Sequence, residues 1–364
     1  MSSKARGLAD LGNAFDDGAL SNRNMIINGG MVIDQRNGGA SVTGSSSAAR
    51  FAADRFSLFA NTTGTITIQQ VSDAPDGFAN SNKVTCTSAA TSDSSATRVQ
   101  LYHAIEGHNI ANLAFGSSSA KAITLSFWVK ASNTGTYGGS FTNGVINRAY
   151  PYQYTISSAN TWEYKTITIT GDTSGTWATD NTGGMYLFWS LGVGSNYEGT
   201  ANQWNGAFDI APPSSFSLKD NLNATWQVTG VQLEVGDTAT PFEHQSYGDT
   251  LAKCQRYYYM LANGNNKTIP TGSYYSSTLV ALVVSFPVTM RSSPTLDSPT
   301  GTNYYGIYAN STLDTFNNFT AINRIGVNGA SLDAYGSGAS GTTGHSGPMK
   351  TNNASAYVAF DAEL

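Results

Sequence analysis

The sequence predicts an all-β protein: a jelly-roll β-sandwich, then a smaller C-terminal β-domain, with a short N-terminal arm. Three observations carry that expectation. Charged residues make up only 12% of the chain, about half the usual ~25%. Glycine (38) and tyrosine (19) fill the gap together with Ser, Thr and Asn, a mixture that suits pleated strands and turns. Apolar residues also recur at every second position in short runs between turn-rich stretches, as half-buried strands require.

Taken in order, residues 1–24 read as an arm. Leu8, Leu11 and Phe15 stand at helical spacing and Asp16, Asp17 and Gly18 close the segment. The sandwich is assigned to 25–245. NMIINGGMVIDQ reads as an opening strand with a bulge at its Gly-Gly pair. TITIQQV puts Ile66 and Ile68 on one face, and AITLSFWVK alternates Ile123, Leu125, Phe127 and Val129 against Thr124, Ser126, Trp128 and Lys130. YKTITIT pairs Ile167 with Ile169, GMYLFWSLGVG is an apolar run between glycines, and VQLEV turns Val231, Leu233 and Val235 inward with Gln232 and Glu234 outward. Three long loops are expected: TSAATSDSSAT, ASNTGTYGGSFTNGVINRAYPYQ, and Gly194 to Asn223. Long loops on a rigid sandwich are common binding sites.

After Val235, Pro241 stops strand pairing, and 246–255 reads as a short helical hinge. The C-terminal β-domain spans 256–364. It begins with CQRYYYML, continues through Val280, Leu282, Val284, Phe286 and Val288 at period two, and ends on Val358, Phe360, Ala362 and Leu364.

Composition also excludes partners. The net charge of −5 is spread along the chain with no basic stripe, so nucleic acid is not expected. No run approaches the ~20 apolar residues of a membrane span, and the first residues lack the apolar core of a secretory signal. Cys86 and Cys254 read as buried thiols rather than a disulfide framework.

His103 and His108 lie five apart around Glu106, the wrong order and spacing for a zinc helix. His345 sits in a Gly/Ser loop, and no G-x-S-x-G elbow supports a nucleophile. Glu106, Glu163, Asp172, Asp180, Glu198 and Glu234 contain no convincing acid pair for glycoside hydrolysis, so no catalytic residue is assigned and an enzyme is not expected. Asp172 and Asp180 lie in GDTSGTWATDNTGG, which could hold a structural Ca²⁺ through oxygen ligands. Aromatic residues of the long loops are the glycan-binding candidates: Tyr137, Tyr150, Tyr152, Trp177, Tyr197 and Trp204. Each ring offers a flat apolar face, with a polar handle, to the C–H face and hydroxyl rim of a sugar. The same rings would equally fill a subunit interface.

In their order, NRNMIINGGMVIDQRN, FAADRF, SFWVKASNTGTYGG, NTWEYKTITITGDTSGTW, WQVTGVQLEVGDTATPFEHQSYGDTLAKCQRYY and the terminal AEL resemble bacteriophage virion proteins of the tail-fibre and receptor-binding type. The central part is similar to their carbohydrate-binding-module jelly rolls. The resemblance covers roughly 22–260, and 261–364 only in layout; Phe56 stands in FAADRF where the pattern has Trp. It implies a homotrimeric appendage, attached to another virion protein through its N-terminal arm, that adsorbs to a bacterial surface polysaccharide. It also implies synthesis in the host bacterial cytoplasm, release by lysis and residence in the virion. A head fibre or capsid decoration protein is the first alternative, and a glycan depolymerase the second. Related jelly rolls often hold structural Ca²⁺.

Overall fold

The computed structural model describes residues 22–364; most of the expected 1–24 arm lies outside them. Two compact units divide the chain, the first running to Tyr247 and taking in Leu364, the second covering Gly248–Glu363. Among the described residues no helix is long and apolar enough to cross a membrane.

The first unit contains strands β1 (Val42–Thr43), β2 (Arg50–Phe51), β3 (Phe56–Asn61), β4 (Thr65–Val71), β5 (Ser81–Ser88), β6 (Arg98–Glu106), β7 (Ile123–Ala131), β8 (Gly135–Asn143), β9 (Ala149–Ile156), β10 (Glu163–Ile169), β11 (Gly183–Val193) and β12 (Thr225–Val235). They form two antiparallel sheets, ordered β1-β4-β5-β12-β7-β10 and β2-β3-β6-β11-β8-β9. From β3 onward the chain passes repeatedly from one sheet to the other, which wraps them into a jelly-roll sandwich. One core lies between the sheets. Ile123, Leu125, Phe127 and Val129 enter it from β7, and Met185, Leu187, Trp189 and Leu191 from β11.

Strand β12 changes phase along its length. Trp226 and Val228 point inward, and so do Val231 and Leu233, because an irregularity between Thr229 and Gln232 inserts one extra step. Gly230 makes this possible: its φ is +60°, and a Cβ there would lie 2.7 Å from the Phe78 ring.

Several expectations need correction. NMIINGGMVIDQ forms turns rather than a strand. The Asn28 side chain replaces ladder bonds, accepting from Val32 N and Ile33 N and donating to Ile33 O and Asp54 O. Residues 22–24 are tied to the sandwich, with Asn22 N and Asn24 N donating to the Glu243 carboxylate. Gln232 and Glu234 do face away from the core, yet they are buried. The segment after β12 folds over them, and Glu234 accepts from Thr240 N and Thr240 Oγ1. The tyrosine-rich stretch read as one long loop is instead the hairpin β8–β9. Its turn is held by Asn143 Oδ1, which accepts from Asn147 N and Arg148 N. Gly194 to Asn223, by contrast, stays irregular apart from short 3₁₀ turns.

Helix α1 (Tyr247–Gln255) begins the second unit. Strands β13 (Tyr258–Asn263), β14 (Thr268–Ser276), β15 (Leu279–Ser285), β16 (Thr295–Asp297), β17 (Tyr305–Ala309), β18 (Thr312–Phe316), β19 (Ala321–Gly326), β20 (Gly329–Tyr335), β21 (Ser346–Thr351) and β22 (Tyr357–Asp361) follow. They form a sheet ordered β13-β22-β16 and a larger one ordered β18-β17-β21-β14-β15-β20-β19. Val280, Leu282, Val284, Val358 and Phe360 share this unit's core. The period-two run ends earlier than expected, at Ser285, because Pro287 has no N–H to donate; Val288 is off the strand. Cys86 and Cys254 are both buried, and neither forms a disulfide.

His103 is fully buried on the inner face of β6. Its Nε2 lies 3.2 Å from Ile27 O, and its ring meets Phe56 edge-on at 4.9 Å. Burial, helped by the Arg55 charge, holds its pKa well below the ordinary 6.5. The native state therefore binds fewer protons than the unfolded chain below pH 6.5, so stability falls as pH drops through that value. Denaturant titrations from pH 7 to 5 should show a loss approaching about 1.4 kcal/mol per pH unit. In His103→Gln that slope should flatten.

Candidate functional site

Alternation along three neighbouring strands turns one set of side chains away from the core. On β6, Val99, Leu101 and His103 face inward, which leaves Arg98, Gln100 and Tyr102 on the outer face. On β11, Met185, Leu187 and Trp189 face inward, and Tyr186 and Phe188 face out. On β3, Phe56 and Leu58 are core, and Ser57 and Phe59 are outer. Register then aligns the outer residues into rows: Ser57 pairs with Tyr102, Tyr102 with Phe188, and Phe188 with Ser140.

The product is a continuous aromatic face. Ring centroids of Tyr102 lie 5.8 Å from Phe188 and 6.3 Å from Tyr186, while Tyr186 and Phe188 stack at 6.0 Å. Phe208, from the irregular segment before β12, meets Phe188 edge-on at 5.8 Å and Tyr197 at 5.6 Å. The Arg98 guanidinium sits 4.3 Å over Phe59 and 5.2 Å from both Tyr197 and Phe208. Phe59, Arg98, Gln100, Tyr102, Tyr186, Phe188 and Phe208 line a depression of about 220 Å³. Three buried polar atoms of this face, Ser57 Oγ, Gln100 Oε1 and Thr142 Oγ1, have no hydrogen-bond partner. Buried polar atoms are normally satisfied, so the face is short of hydrogen-bonding groups.

Of the six aromatic residues singled out from sequence, Tyr197 belongs to this face. Tyr137 and Tyr152 are core residues on β8 and β9. Tyr137 Oη donates to Asn133 O at 2.9 Å and Tyr152 Oη to Phe188 O at 2.8 Å; burial pushes both phenols up in pKa. Glycine makes the space: a Cβ at Gly139, opposite Tyr152, would lie 2.4 Å from its ring. Tyr150, Trp177 and Trp204 are brought together in a separate cluster. Trp204 meets Tyr150 at 5.3 Å and Trp177 at 5.5 Å, and Phe115 wedges against both indoles. Their indole N–H groups are occupied, Trp177 donating to Ser174 O and Trp204 to Thr170 O. These rings pack the sandwich margin, because edge-to-face contacts and local carbonyls satisfy them there.

The two candidate calcium ligands also take other roles. Asp172 is buried and receives both arms of the Arg148 fork, Nε at 2.8 Å and Nη2 at 2.6 Å. Asp180 accepts from Thr182 N and Oγ1. Among the described residues no group of three His, Cys, Asp or Glu side chains could hold a metal. Replacing Asp172 by alanine leaves a guanidinium facing a buried void and should destabilise the protein by about 3 kcal/mol. Thermal melts would register that loss, and addition of a chelator should not reproduce it in the wild type.

Phe59, Arg98, Gln100, Tyr102, Tyr186, Phe188 and Phe208 escaped the sequence reading. For Arg98, Gln100, Tyr102, Tyr186 and Phe188 the signal was the polar or aromatic half of an alternation, RVQLY and MYLFW, whose apolar half marks the core.

No family model matches the chain, and no curated protein matches it. Among solved structures, the enzymatically active domain of bacteriophage CBA120 tailspike protein 4 aligns at 11% identity and a TM-score of 0.33, covering 59% of this chain and 22% of that one. This chain thus spans under a quarter of the tailspike domain. A putative sugar-binding protein from Bacteroides thetaiotaomicron VPI-5482 aligns at 14% identity and a TM-score of 0.32, covering 58% and 100%. A family 11 carbohydrate-binding module from Clostridium thermocellum, in complex with a mixed-linked tetrasaccharide, aligns at 13% and 0.27, covering 52% and 91%. Likeness at this level transfers neither ligand nor activity.

Proposed function

We propose that the chain is a non-enzymatic adhesive protein of a bacteriophage virion, of tail-fibre type, that binds a bacterial surface polysaccharide on the outer face of its sandwich. The observation that carries this reading is the aromatic face itself: Tyr102, Tyr186 and Phe188 side by side on a rigid sheet and Phe208 packed against them, with the Arg98 guanidinium beside the rings. Flat rings suit the C–H face of a sugar, and polar atoms suit its hydroxyls. The order of sequence motifs supports the virion assignment. No carboxyl side chain lines the depression among the described residues, whereas hydrolysis would need two at a fixed separation.

A shallow site binds weakly alone. Assembly as a homotrimer, attached to another virion protein through the arm, would raise avidity by roughly 10²–10⁴. The test is adsorption of the purified protein to host cells and to their extracted surface polysaccharide, alongside its mass by light scattering. Binding by a particle of three chains, without release of reducing sugar, is expected. Absence of adsorption would overturn the adhesive reading, and sugar release would favour a depolymerase.

A further inference from the structure

We infer that the polysaccharide bound on this face is acidic, and that the Arg98 guanidinium pairs with its carboxylate. The inference rests on the glycan-binding reading above and names the chemistry of its ligand.

Arg98 is half-buried on β6 among Phe59, Tyr197 and Phe208, its guanidinium carbon 4.3–5.2 Å from the three ring centres. Among the described residues its guanidinium has no hydrogen-bond or ion-pair partner. Arg148, by contrast, gives two arms to Asp172, Arg36 reaches Asp54, and Arg291 holds the carbonyls of Ala362 and Glu363. A guanidinium has five N–H donors in a planar fork. Here the rings attract the cation and fix its plane, which takes it partly out of water and leaves its donors without a protein acceptor.

Two residues along the same strand, Gln100 is buried, with 3% of its surface exposed, and its Oε1 has no partner. Both side chains line the depression, which Gly144, Ile146 and the terminal residue Leu364 also border; among the described residues there Arg98 carries the only charged side chain, and no ion pair joins it to the Leu364 carboxylate. The depression therefore offers a rigid donor fork among aromatic rings. A hexuronate residue presents the complement, a carboxylate beside an apolar ring face. The fork geometry matches a carboxylate in bidentate fashion, while Tyr102 and Phe188 lie beside it for the sugar's apolar face. A neutral sugar would cover the cation without supplying an anion, at a cost in desolvation.

The experiment uses the full chain and a set of uronate-containing bacterial capsular polysaccharides, each measured intact and after chemical reduction of its carboxyl groups to the neutral alcohol. Affinity electrophoresis supplies the dissociation constants, and a charged hydrogen bond of this kind predicts roughly 10- to 100-fold weaker binding after reduction. Arg98→Met should lose a similar factor on the intact polymers and no longer distinguish them from the reduced ones. Arg98→Lys, which keeps the charge but not the fork, should fall between. Equal binding of intact and reduced polymers by the wild type would overturn the acidic assignment and leave the glycan-binding reading standing; that comparison needs no variant. Wild-type affinity in Arg98→Met would also overturn it. Binding to no polymer, acidic or neutral, would overturn both.

Discussion

Replacing Tyr102 by alanine should weaken polysaccharide binding by roughly thirtyfold while leaving the protein folded. Tyr102 stands at the centre of the aromatic face, paired in register with Ser57 on one side and Phe188 on the other, its ring within 6.3 Å of those of Tyr186 and Phe188. Central aromatic residues dominate binding energy, typically about 2 kcal/mol each, and 1.4 kcal/mol is tenfold in affinity. The ring lies on the outer surface of the sheet rather than in the core, so its removal opens no internal cavity. Tyr102→Phe keeps the stacking surface and should lose only the share due to the hydroxyl. Tyr164 provides the control: it is 44% exposed on the outer face of the other sheet, and Tyr164→Ala should bind normally. Isothermal titration of the three variants would separate these outcomes.

Trp226 carries the largest expected effect on stability. Its side chain is fully buried on β12, with its ring 6.2 Å from Trp189 and its Nε1 donating to Tyr154 Oη at 3.0 Å. Alanine here should cost about 3–5 kcal/mol through lost contacts and the cavity left behind. It also deprives the buried Tyr154 hydroxyl of its donor. Trp226→Phe refills much of the volume but not the hydrogen bond, and should cost about 1–3 kcal/mol. Denaturant unfolding at equilibrium measures both, with an unchanged m-value if only the native state is affected. A Trp226→Ala protein as stable as wild type would mean that the two sheets do not share this core.

The strands with clean alternation were legible in the sequence: β4, β7, β10, β12, β15 and β22 appear where period-two runs predicted them. What hid the β8–β9 hairpin was its density of Gly, Asn and Ser, which reads as loop. Those small residues are there because Tyr137, Tyr152 and Tyr154 occupy the core and need space opposite them, as Gly139 shows. The same misreading placed Tyr137, Tyr150 and Tyr152 on an exposed loop. Burial of a tyrosine depends on a carbonyl waiting for its hydroxyl, such as Phe188 O for Tyr152, and no local pattern announces that. The aromatic face was hidden for a related reason. Phe59, Arg98, Tyr102, Tyr186 and Phe208 are far apart in sequence, and only cross-strand register gathers them. Tyr197 was found because it lies in a segment that is irregular both in expectation and in the fold.

Side-chain footprinting with hydroxyl radicals, in the presence and absence of bound host polysaccharide, tests the aromatic face most directly. Protection should concentrate on Tyr102, Tyr186 and Phe208, with Tyr164 and Tyr275 equally reactive in both states. Protection that fell elsewhere, with those three rings unchanged on a saturated protein, would contradict the assignment of this face as the place where sugar is held.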